Sequence, residues 1–143
     1  MPRRIKKHQS KMSTYFKKIL FFFPAMLLMS CDPAHSIYLI NNTDNKAKIK
    51  FNLNSKIPNY RLNEISKDSI VFNLNQKDTA EIYYGIGTWN EKEIDEISKS
   101  IKNIEIETND IKTVYKTQNS ISNLLNKKKE GFWWKTKIII EIN

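Results

Sequence analysis

Lys46-Ala47-Lys48-Ile49-Lys50-Phe51-Asn52-Leu53-Asn54 alternates without a break, with an apolar residue at every odd position and Lys or Asn at every even one. Side chains of a strand point to opposite faces in turn, so this stretch predicts a half-buried strand with a wet outer face. Ile37 to Ile40 is β-branched and aromatic, and Asn41-Asn42-Thr43-Asp44-Asn45 between the two runs is turn-rich; together they predict a first hairpin. Residues 55–67, with Pro58, read as loop.

The same reading extends to the end of the chain. Ile70, Phe72 and Leu74 alternate with Ser69, Val71 and Asn73, and after Asn75-Gln76-Lys77-Asp78 the residues Ala80, Ile82, Tyr84 and Ile86 resume the pattern, which predicts a second hairpin. Asn90 with Glu93 three residues on resembles an N-cap and capping box, and Ile94, Ile97 and Ile101 mark one face of a helix over 91–101. Ile104 to Glu107 and Ile111 to Thr117 predict a third strand pair around Asn109-Asp110. Ile121, Leu124 and Leu125 predict a second short helix, with Lys127, Lys128 and Lys129 at its C-terminal dipole and Gly131 at its exit. Phe132, Trp134, Thr136, Ile138, Ile140 and Ile142 then share one face of a last strand, leaving Trp133 outside with Lys135 and Lys137. About seven strands with two short helices, and no strand–helix alternation, predict a mainly β fold. The expected form is an antiparallel β-sandwich, loosely immunoglobulin-like, over 37–143.

Charge is unevenly placed. The 143 residues carry a net +9, but residues 1–30 hold seven basic residues and no acid, so 31–143 is only +2. A near-neutral domain lacks the basic face that nucleic-acid binding needs, and no nucleic-acid partner is expected. Lys17-Lys18 leads into an apolar run from Ile19 to Met29, then Ser30 and Cys31, the layout of a cleaved secretory signal peptide over 1–30. Twelve helical residues span about 18 Å against roughly 30 Å of hydrocarbon, too short for a membrane span. Met12 opens an n-region of ordinary length, which makes it a candidate translation start beside Met1.

Leu28-Met29-Ser30-Cys31 resembles the lipobox of bacterial lipoproteins, with Met29 standing where Ala, Ser, Thr or Val is commoner. The resemblance implies cleavage between Ser30 and Cys31, diacylglycerol on the Cys31 thiol and a further acyl chain such as palmitate on the new amino group. Cys31 is the only cysteine in the chain. Two or more acyl chains make a stable anchor, so the expectation is a lipid-anchored cell-envelope protein, on the outer membrane facing the periplasm, with 31–36 as a lipidated tether. The lipobox, Ile37 to Asp44, Asp78-Thr79-Ala80, Trp89 and the Trp-bearing end together resemble small single-domain lipoproteins of Bacteroidota. That family implies an architecture and a location rather than an activity. The resemblance also makes Ser69 and Thr79, each preceded by Asp, candidate O-glycosylation positions.

Few residues offer chemistry. His35 is the only histidine after residue 30 and is expected on the tether. With no second His and no free Cys, neither a catalytic dyad nor a metal site can be assembled, and no cofactor is expected. Glu105 and Glu107 share a strand face, and Glu91, Glu93, Asp95 and Glu96 crowd the first helix; a solvated face and a helix dipole account for both. The leading expectation is a non-catalytic binding module, its candidate contact patch Trp133, Lys135 and Lys137. An inhibitor or immunity lipoprotein against an envelope hydrolase or toxin is the alternative, and a carboxylate glycan hydrolase the third reading. The expected partners are the membrane, through Cys31, and an envelope protein or glycan.

Overall fold

In the computed structural model, which describes residues 33–131 and 133–143, strands run from one end of that region to the other. In order they are β1 (Ala34–Asn41), β2 (Ala47–Leu53), α1 (Tyr60–Ile65), β3 (Ser69–Leu74), β4 (Thr79–Ile86), α2 (Glu91–Ser100), β5 (Ile101–Glu107), β6 (Lys112–Tyr115), α3 (Gln118–Lys127), β7 (Lys129–Glu130) and β8 (Lys137–Ile142). The fold is mainly β, as expected. The expected signal peptide over 1–30 and the Cys31 position lie outside the described residues.

Two four-stranded sheets, ordered β4-β1-β8-β7 and β3-β2-β5-β6, form the sandwich. Pairing is antiparallel except for β1 against β8, which run parallel. Alternation delivers the core. Ile37 and Leu39 of β1, Ile49 and Phe51 of β2, Ile104 of β5, and Ile138 and Ile140 of β8 are all buried, while Lys48 faces water. Each fully buried Ile, Leu or Phe is worth roughly 1.5–3 kcal/mol of transfer free energy. The helices α2 and α3 pack on each other and reach β5 and β8, with Ile94, Ile97, Ile121 and Leu125 turned inward.

The first two expected hairpins are absent. β1 and β2 belong to different sheets, and so do β3 and β4; their links 42–46 and 75–78 cross between the layers. Only β5 and β6 form the expected hairpin. Period two identifies a strand and its wet face, but a hairpin and a crossover need the same turn residues. Asn41 explains the choice made here. It is 0% exposed, and its Nδ2 donates to the carbonyls of Asn45 (2.7 Å) and Asn75 (2.8 Å). Its Oδ1 accepts from Thr43 N (3.1 Å) and Thr43 Oγ1 (2.7 Å). One buried side chain thus ties both crossovers together.

Three further differences concern element bounds. β1 starts at Ala34, so Ala34, His35 and Ser36 lie in the sheet rather than on the expected 31–36 tether. The segment read as loop over 55–67 contains α1, capped by Asn59, whose side chain accepts from Arg61 N and Leu62 N. The described residues thus hold eight strands and three helices. Finally, β8 begins at Lys137, so Trp134 precedes the strand and stands 63% exposed instead of joining Ile138 in the core. A loop closes ahead of β8 through Thr136 N to Glu130 O, 3.1 Å, and Lys135 Nζ to Gly131 O, 3.1 Å. Gly131 belongs to this loop, not to the exit of α3. It has φ +143°, and a Cβ there would lie 1.9 Å from the Trp134 carbonyl oxygen.

Candidate functional site

The start of β1 and the end of β4 pair as Ala34↔Ile86 and His35↔Gly85, and the register then skips to Ser36↔Tyr83. Tyr84 is the extra residue of this bulge, a device that re-aims a side chain. Here it comes to rest near His35, ring centroids 6.2 Å apart. Trp89, just after β4, meets His35 edge-on at 4.5 Å and Tyr84 at 5.0 Å. All three rings are buried, His35 at 5% exposure.

Glu93 completes the cluster. Asn90 caps α2, its side chain accepting from Glu93 N, as the sequence predicts. The Glu93 carboxylate turns instead to His35, Oε1 lying 3.0 Å from Nε2. Burial, then the charge of Glu93, pushes the Tyr84 phenol above its ordinary value, which keeps it a neutral donor. Among the described residues, buried side-chain atoms without a hydrogen-bond partner are His35 Nδ1, Arg61 Nε, Tyr84 Oη and Trp89 Nε1. Arg61 belongs to the same neighbourhood, since a Cβ on Gly85 would lie 3.4 Å from its Nη2. Buried polar atoms are nearly always paired in folded proteins, so four such atoms in one place call for a reason. Beside them opens a groove of about 520 Å³ lined by His35, Tyr60, Ile86, Asn90, Glu93 and Glu96 among others. Tyr60, with the Arg61 guanidinium 4.9 Å over its ring, and Ile86 are exposed walls.

The sequence reading missed this site. His35 shares the parity of Ile37 and Leu39, and carrying the alternation two residues back from Ile37 would have placed it on the inward face.

The other sequence candidates are spread over the domain. Trp133 is 84% exposed, and Lys135 and Lys137 are exposed beside it, with Lys137 Nζ 5.6 Å from the Tyr38 ring centre. Glu105 and Glu107 face a shared lysine, Lys112 Nζ lying 2.9 and 3.6 Å from them, while Asn52 Nδ2 donates to Glu105 (2.8 Å). The hydrogen bond from Lys112 is the main reason the Glu105 carboxyl sits below the usual carboxylate range. On α2, Asp95 pairs with Lys99 at 2.5 Å and Glu96 with Lys92 at 3.9 Å. Ser69 and Thr79 open β3 and β4, Thr79 exposed and Ser69 partly so. Among the described residues no group of three His, Cys, Asp or Glu could hold a metal ion, and no helix is long and apolar enough to cross a membrane.

No protein-family model, curated protein or solved structure matches this chain.

Proposed function

We propose that the protein is a lipid-anchored lipoprotein of the cell envelope, held in the outer membrane through acylated Cys31 and facing the periplasm, with the sandwich as a non-catalytic binding module. The observation that carries the binding reading is the groove itself, walled by exposed Tyr60 and Ile86 with Lys92, Glu93 and Glu96 on its lining, and backed by the buried unpaired donors of Arg61, Tyr84 and Trp89. Pocket-edge aromatics with a few convergent polar groups are the usual make-up of a recognition site. The anchor reading is supported by the lipobox and by the single cysteine's place within it.

A hydrolase needs a carboxyl held above its usual range to act as general acid. Glu105 is shifted the other way by Lys112, which favours the binder. The inhibitor or immunity reading is a narrower form of the same proposal. Glu96, beside Lys92 on the groove, offers it a carboxylate contact for a basic partner. Ser69 and Thr79 remain proposed O-glycosylation positions, to be tested by intact mass.

Cys31→Ala should remove the acyl mass and the membrane fractionation of the native protein; a variant still acylated would overturn the anchor. Pull-down from detergent-solubilised envelopes should lose its captured partner in the Tyr60→Ala/Glu96→Lys double variant at unchanged melting temperature. Undiminished capture would overturn the groove as the binding face.

A further inference from the structure

We infer that the segment 127–137 is an interfacial surface that seats the domain on an anionic lipid bilayer. It holds five lysines and one glutamate, a net +4 that leaves the rest of 31–143 slightly acidic, together with Trp133 and Trp134. The loop closure around Gly131 turns Trp133 and Trp134 outward, 84% and 63% exposed. Trp belongs at the headgroup level of a membrane, where its ring is half solvated, and lysines beside it gain from the negative surface potential.

Position supplies the second argument. β8 runs parallel to β1, with Ser36 beside Lys137, and Ser36 N donates to Thr136 O at 3.1 Å. The tryptophan loop therefore lies at the end of the sandwich where β1 begins. Cys31 precedes Ala34 by three residues, a reach of at most about 11 Å. The inference rests on the anchor reading in this respect, since acylation at Cys31 would hold this loop at the bilayer surface. The groove, with Glu93, Glu96 and Lys92 on its lining, belongs to the β4 side of β1 and the lysines of the segment to the β8–β7 side, so the groove flanks the contact. Of the acids near the lysines, Glu130 lies across from Lys137, and Glu141 pairs with Lys128 at 4.0 Å.

The test uses the full native protein bound to phosphatidylethanolamine vesicles containing brominated phosphatidylglycerol, a quencher confined to the bilayer, with intact mass recorded on the same sample. Two of the three tryptophans lie in the loop, so emission should fall by more than half. The Trp133→Ser/Trp134→Ser variant, whose remaining Trp89 is buried, should not be quenched. Lys135→Glu/Lys137→Glu should weaken quenching severalfold, as about 1 kcal/mol per lysine corresponds to roughly fivefold. Acyl mass with unquenched loop tryptophans would overturn the docking and leave the anchor standing. Quenching without acyl mass would do the reverse. Equal quenching by brominated neutral vesicles would overturn the requirement for anionic lipid.

Discussion

At one end of the sandwich asparagine, aspartate and threonine side chains close the loops; the other end uses such caps too, at Asn59 and Asn90, but adds exposed tyrosine, isoleucine and tryptophan. The first end gathers 42–46, 75–78 and 108–111, where Asn41, Thr43 and Asp78 spend their side chains on backbone groups. Lys77 Nζ donates to the Asn42 carbonyl there. The opposite end carries Tyr60, Ile86, Trp133 and Trp134, all exposed, and the buried donors around His35. Polar side chains that close their own loops have little left to offer a partner. Apolar surface left in water, next to donors left unpaired, is how a protein keeps interaction energy in reserve. On the proposed reading, recognition falls to the second end.

The contrast breaks most readily at Asn41. Asn41→Ala strips two loop carbonyls and the Thr43 amide and hydroxyl of a buried partner, and should cost about 2–3 kcal/mol in urea melts. A loss under about 0.5 kcal/mol would mean that the crossovers hold without their clip. At the other end Trp134→Ala and Trp133→Ala should each cost less than about 1 kcal/mol, as exposed substitutions do. A loss of the size expected for a core tryptophan, about 3–5 kcal/mol, would instead return Trp134 to the core.

The smallest effect concerns Glu105, which leans toward the polar end through its bond with Lys112. Its folded pKa is lowered, so the pair stabilises at neutral pH, and that contribution is lost as pH falls through the folded value. Lys112→Ala should move the Glu105 carboxyl back up toward the ordinary carboxylate range in an NMR titration. An unmoved titration would assign the shift to Asn52 and Lys50.

What could be read from the sequence differed between the same two ends. The inward faces of β2, β5 and β8 and the Asn90 cap were legible because alternation and capping are local patterns. The pairing of β1 with β8 was not, since it joins residues about a hundred apart in sequence and leaves no local trace. Trp134 misled for the same reason: its parity with Ile138 held, but Gly131 and the Lys135 contact had already taken the chain out of extended form. The His35 site stayed hidden because Pro33 and the nearby Cys31 made the start of β1 look like a leader rather than a strand.

The parallel pairing of β1 with β8 also sets an order of events. β8 lies between β1 and β7 at the centre of its sheet, so that sheet cannot close until the final strand has arrived. Joining such distant segments carries a loop-closure cost before any contact repays it, and folds of this kind form slowly. A chain shortened by its last seven residues would expose the flanks of β1 and β7 together. Its expected fate is self-association or proteolysis rather than a weakened native state.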